Sequence, residues 1–206
     1  MTSRLDRIWQ AAEARLLGDL PRNLHYHGPQ HTLADVIPAV HRLSKGENIA
    51  PSDLELLLVA ALYHDMGFIE SYNGNEQIGA RMAAEAMPEY GYGPAEINRV
   101  INLILATELK EIDGVWRQDP GSDLLKQILC DADLDNLGRE DFFDVSDALR
   151  QELLEQGKRF EELEWLTRQI LFISQQEWFT RTQREHRQQE KARNVAKLRR
   201  SLAALL

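Results

Sequence analysis

The stretch Leu56–Glu70, LLLVAALYHDMGFIE, decides the fold. Apolar residues run unbroken from Leu56 to Tyr63, and then the chain places His64 and Asp65 side by side. Ser52 is a suitable N-cap upstream, with Asp53 and Glu55 in the first turn, where the helix dipole favours negative charge. A helix that is apolar nearly all round is a central one, buried by its neighbours. An imidazole and a carboxylate at its end are costly to bury unless something pairs with them. Successive helical residues point about 100° apart, so the two reach one partner only at a helix end. Gly67 supplies that end.

Working outward, helical periodicity dominates. Ser3–Leu17 repeats apolar residues at Leu5, Ile8, Trp9, Ala12 and Leu16. Pro29–Ser44 sets Leu33, Val36, Ile37 and Val40 on one stripe, at the spacing of a half-buried helix, with Pro38 inside it as a source of bending. Asn75–Glu89 predicts another helix, ended by YGYGP, and Pro94 opens the next, with Ile97, Val100, Ile101 and Ile104 inward. A loop with Gly114, Pro120 and Gly121 follows, then a short helix capped by Ser122. Two helices separated at Gly157 and a long polar one from Arg181 complete the chain. No strand is expected. The fold class is all-α, a bundle of about eight helices in a single domain, 1–206. Its motif-bearing core spans about 24–138, and the helices of about 140–206 pack on it or extend from it.

Composition narrows the function. Of 206 residues, 43% are hydrophobic and 28% charged, an ordinary globular mixture, and the net charge is −9. That charge argues against a nucleic-acid-binding surface, which needs excess Lys and Arg. The basic final helix reads as a solvated face pairing with acidic neighbours, with a nucleotide-facing or RNA-facing tail as the alternative. Cys130 is the lone cysteine, which fits a reducing compartment. No apolar run reaches the ~20 residues of a membrane helix, and the amphipathic N-terminus has no signal core. A soluble cytoplasmic protein is expected, without membrane partners. Homo-oligomers are compatible with the sequence.

Three segments carry chemistry: LHYHGPQHTLADV, ALYHDMG and LCDADLDNLG. Each sets imidazole or carboxylate beside apolar packing at a helix end. A divalent metal would satisfy them together, since neutral His nitrogen and Asp oxygen are good ligands. Asp131, Asp133 and Asp135 alternate as in a calcium loop, but such a loop needs Gly sixth and Glu twelfth, where this chain has Asn136 and Phe142. There is no G-x-S-x-G elbow, Walker loop or H-E-x-x-H motif.

In this order and at these separations, YHGPQHT, YHD and DADLDNLG resemble the HD-domain superfamily of metal-dependent phosphohydrolases. The segment NEQIGARMAAEAMPEYGYGPAEINRVINLILAT fits the same pattern between the second and third motifs. The resemblance covers roughly Leu24–Gly138. It implies metal ligands His31, His64, Asp65 and Asp131, with Asp133 as a helix-end cap or a partner to the ligands. Asp35, four residues after His31, is a candidate acceptor for that imidazole's free N–H, beside the plainer reading of a surface acid. His27 is expected to touch the substrate phosphate or support the ligands, with a turn cap as the alternative.

Relatives with two metals carry further histidines where this chain has Asn75-Glu76 and Thr107-Glu108, so one ion is expected: Mn, Mg, Fe, Co, Ni or Zn. Catalytic roles fall to Asp65, which would orient an attacking water, and Glu76, which would orient or deprotonate it. Glu108 is a weaker candidate, and His27, Arg81, Lys110 or the basic last helix could hold phosphate. The implied activity is hydrolysis of a phosphate mono- or diester, with a nucleotide as the expected substrate, through water activated by the ion. The alternative is a weakly active or inactive metal-binding regulatory module of the same fold.

Overall fold

A computed structural model describes residues 2–206. They form nine α-helices and one small ribbon. Helix α1 (Arg4–Asp19) starts at a capping box: Ser3 Oγ accepts from the Asp6 N–H, and Asp6 accepts from the Ser3 N–H. It buries Ile8, Ala12 and Leu16, one face at a four-residue repeat. Helix α2 (Ile37–Gly46) continues from a wider turn, His31–Val36, in which the Ile37 N–H reaches back five residues to the Thr32 carbonyl. Pro38 has no N–H to offer Ala34, so the regular ladder is already interrupted there. The expected bend thus appears as a π-turn.

Helix α3 (Pro51–Tyr63) is the centre of the bundle. Every residue from Leu56 to Tyr63 is buried, against α1, α2, α4, α5 and α6. Ala50, not Ser52, occupies its N-cap; Pro51 already has helical backbone and lacks the N–H that would need capping. A 3₁₀ turn, Met66–Ile69, leads toward α4 (Asn75–Ala86). Helix α5 (Pro94–Ile104) and helix α6 (Leu124–Asp133), capped by Asp123 rather than Ser122, close the main core. The cap differs because Asp123 accepts from the N–H groups of Leu125 and Lys126.

Between α5 and α6 lies what the sequence was not expected to contain, an antiparallel ribbon of β1 (Lys110–Ile112) and β2 (Val115–Arg117). Its two-residue turn is Asp113-Gly114, both at positive φ (54° and 77°). That Asp-Gly pair is the hairpin signal, overlooked because the strands are short and largely exposed.

Helices α7 (Phe142–Glu155), α8 (Glu162–Gln175) and α9 (Arg181–Leu205) gather around a second apolar cluster that includes Phe142, Ile173, Trp178 and Leu198. Helix α9 has few apolar residues and is fastened by polar ones. Thr180 caps its start, Gln183 and Asn194 are fully buried, and Asn194 donates to the carbonyls of Leu137 and Arg139. Among the described residues no helix is long and apolar enough to cross a membrane.

Candidate metal centre

Helix α3 stops where its apolar run stops. His64 keeps helical backbone, but Asp65 leaves it at φ −105° and ψ 2°, so the two side chains turn into one space. Helix α4 comes very close to this corner, and glycine allows it. A Cβ on Gly79 would lie 2.3 Å from the Tyr63 carbonyl oxygen, and one on Gly67 would lie 1.9 Å from that of Asn75. Asn75 is thereby set beside Asp65, and its Nδ2 donates to Oδ1 at 3.2 Å.

His31 arrives from the π-turn before α2, and Asp133 from the last residue of α6. One ligand atom from each of His31, His64, Asp65 and Asp133 lies within 4.8 Å of all the others. His31 Nε2 is 3.1 Å from Asp133 Oδ1 and 3.5 Å from Asp65 Oδ2; His64 Nε2 is 3.4 Å and 3.2 Å from the same two oxygens. Each carboxylate has one oxygen tied down and the other in the cluster. Asp65 is tied by Asn75, and Asp133 Oδ2 accepts from Gln118 Nε2 at 2.6 Å. Gln118 follows directly on β2 and is held by a second bond to the Thr107 carbonyl, so the ribbon contributes to the site.

The protonation pattern suits a cation. His64 Nδ1 donates to the Ala61 carbonyl at 2.8 Å, and a carbonyl can only accept. In the neutral ring, Nε2 is then a bare lone pair facing the cluster. His64 Nε2 and Asp65 Oδ2 are buried and have no hydrogen-bond partner. Two lone-pair atoms left so in the interior are costly, and a divalent ion would satisfy both. Protons are the alternative occupants. Burial pushes the His64 pKa down, yet Asp65 and Asp133 outweigh it and lift it well above the usual histidine range. Burial likewise works to raise Asp133, but His31 and His64 hold its carboxyl far below the ordinary value. The donor set of two imidazoles and two carboxylates therefore fits a divalent metal.

Asp131, expected as the fourth ligand, is elsewhere. Its Oδ1 accepts from the Phe179 N–H at 2.9 Å, and its Oδ2 accepts from the N–H and hydroxyl of Thr180, each at 2.7 Å. It fastens the start of α9, and Asp133 takes the place in the cluster. Asp131 and Asp133 are two residues apart, about 200° around a helix, so only one can face the cluster. Asp35 does not meet His31 either; it pairs with Arg139, which holds it on the outer side of the π-turn.

The cluster opens into a cavity of about 340 Å³ lined by Tyr26, His27, Tyr72, Glu76, Asp65 and Asp133, among others. His27 stacks on Phe68 with ring centroids 4.5 Å apart, and its Nδ1 donates to Glu152 Oε1 at 2.5 Å. Burial lowers the His27 pKa, but Glu152 and Asp65 more than reverse that, so the net shift is upward. Glu152 is fully buried and also accepts from the Tyr26 and His27 N–H groups and the Tyr72 hydroxyl. Sequence reading missed it. The signal was present, since Glu152 lies seven residues after Val145 and three after Leu149, an acid on an otherwise apolar stripe. Glu76 is half-buried at the first turn of α4; burial, then the Asp65, Asp133 and Glu108 charges, raise its pKa. Arg81 pairs with Glu70 and Glu85 at the surface, and Lys110 lies beside Glu108.

A family model described as HD domain matches residues 31–135, half of the chain. The match starts at His31 and ends just beyond Asp133, so all four clustered residues fall inside it. Neither the comparison with curated proteins nor that with solved structures gives a match.

Proposed function

The chain belongs to the HD domain family, and from that premise we propose that it hydrolyses phosphate esters, with a nucleotide as substrate, at a single divalent ion held by His31, His64, Asp65 and Asp133. One observation carries the reading: two buried, unpartnered ligand atoms, His64 Nε2 and Asp65 Oδ2, sit in a four-residue cluster that opens on a substrate-sized cavity. When bound, such an ion supplies Lewis-acid polarisation of a phosphoryl oxygen and makes water more acidic.

The chain's own groups do the rest. Asp65 binds with one oxygen while Asn75 fixes the other, which holds the carboxylate plane steady and orients the attacking water. Glu76 shares the cavity and accepts that water's proton; its raised pKa makes it the stronger base. His27 is held by Glu152 in its cationic form and meets the phosphate oxygens. Leu134, Leu137, Leu149 and Phe172 line the remainder of the cavity and limit water. The lone cysteine, Cys130, is buried, in keeping with a cytoplasmic setting.

The test is to strip the protein, restore Mn, Mg, Fe, Co, Ni or Zn singly, and assay nucleotide mono- and diesters. Metal-dependent turnover that vanishes in Asp65→Ala is expected. Full metal-dependent activity in that variant overturns the assignment. A second reading, a binding module without turnover, draws on Asn75 and Thr107 standing where two-metal relatives carry histidines. Stoichiometric metal with no turnover across the ester panel would favour it.

A further inference from the structure

Beside the inner cavity lies a larger groove of about 860 Å³. The two are continuous, because Leu109, Leu149, Leu153, Gln169 and Phe172 line both. The groove is built mainly by α7, α8 and the turn at Gly157 between them, all outside the matched residues 31–135, and Trp116 of the ribbon adds to it.

Two features of this groove need an occupant. The first is an aromatic face. Trp116 is 55% exposed, yet its backbone is fixed by ribbon pairing to Glu111 and by Gln176 Nε2, which donates to its carbonyl at 2.7 Å. An indole held open to solvent on a fixed backbone is a stacking platform. The second is unpaired positive charge in a protein of net charge −9. Arg150 and Arg168 on the flanking helices pair with Glu162 and Glu164. Lys158 and Arg159, on the turn between those helices, have no carboxylate partner among the described residues. Lys158 stands at the junction of the two spaces, with Nζ 6.0 Å from the centre of the Tyr72 ring, which lines the inner cavity.

We propose that this groove is the leaving-group subsite. It takes the flat aromatic body of a phosphate ester that carries a second anionic group, with Trp116 against the ring and Lys158 and Arg159 against the anion. The inference rests on the hydrolase reading above. Water's oxygen forms the new bond to phosphorus as its proton passes to Glu76, the ester P–O bond breaks, and the departing alkoxide or phenoxide takes a proton from solvent in the open groove and leaves by it. An aliphatic ester would make no use of the indole face, and an ester without a second charge would make no use of the two cations.

The experiment has a binding arm and a turnover arm, on metal-loaded full-length protein. In the first, 2-naphthol-6-sulfonate, which has no phosphate to lose, is titrated by calorimetry into wild type, Trp116→Ala and Lys158→Gln/Arg159→Gln. All three positions are surface ones, so the fold is retained. Saturable binding is expected, weakened roughly fivefold to a hundredfold by loss of the stacking face. The charge variant should bind several-fold more weakly and show less salt dependence. In the second arm, KM for 6-sulfo-2-naphthyl phosphate rises in both variants with kcat held, while methyl phosphate is unaffected. Absent binding, or binding and KM indifferent to the substitutions, overturns the subsite and leaves the hydrolase standing. Intact binding with no ester turned over in any variant overturns the hydrolase reading, and with it the leaving-group role, but not the site.

Discussion

Three aspartates alternate across the end of α6, and they live in two unlike places. Asp131 and Asp135 face α9. Asp131 receives three hydrogen bonds from Phe179 and Thr180, and Asp135 receives Arg187 bidentately, with Arg42 and Gln183 adding to it. Asp133 faces the other way, toward two imidazoles and a second carboxylate, where His64 Nε2 and Asp65 Oδ2 lack partners. Asp131 and Asp135 are buried and Asp133 is partly exposed at the cavity wall, a modest difference that does not by itself separate structural from chemical roles. Completeness of partners does: the α9 side is finished by the chain alone, and the cluster leaves two buried ligand atoms without a partner.

The sharpest way to break this contrast is to exchange the roles. Asp133→Asn should lose metal and hydrolysis by more than the ~10–100-fold that removal of an outer partner costs. Asp131→Asn should keep both, by elemental analysis and ester assay. Equal losses would mean that the two faces are not distinct. Asp135→Ala comes next. It leaves two guanidinium groups short of a partner at the root of α9, and about 3 kcal/mol of unfolding free energy should disappear in urea titrations with metal content intact.

Asp131 offers a pH test of comparable size. Burial pushes its carboxyl up to about 6, against the Phe179 and Thr180 donors that favour the anion. The folded state then keeps a proton where the unfolded chain has lost it. This group's contribution is full below about pH 4 and is lost as pH rises through about 6, a change of about 3 kcal/mol. Wild type minus Asp131→Asn, followed from pH 4 to 7 by denaturant unfolding, should reveal that slope; a flat difference would mean the carboxylate is ionised throughout. The smallest effect on the cluster is expected for Gln118→Ala, which frees Asp133 Oδ2 and should weaken metal binding about 10–100-fold in competition titrations.

His31, His64 and Asp65, which the cluster brings together, were legible in the sequence through the ordered motifs that resemble the HD family, with His64 and Asp65 also marked as polar groups ending an apolar run. The choice between Asp131 and Asp133 was not. Asp131 follows Ile128 by three residues and Asp133 follows Leu129 by four, so both border one apolar stripe, and only the position of α9 tells them apart. That position depends on Thr180, almost fifty residues away. Gln118 left no mark, since an amide after a short exposed strand is ordinary. The helices were readable from their period, whereas the ribbon rested on a single Asp-Gly pair.

The π-turn has a consequence for engineering. Removing one residue between His31 and Ile37 would close the wide turn to ordinary α-helical spacing, with only the bond that Pro38 cannot donate still missing. It would also swing His31 by about 100° relative to α2, since that is the angle each helical residue occupies. The tidier secondary structure would face its imidazole away from His64, so the irregularity before α2 is what sets the histidine's aim.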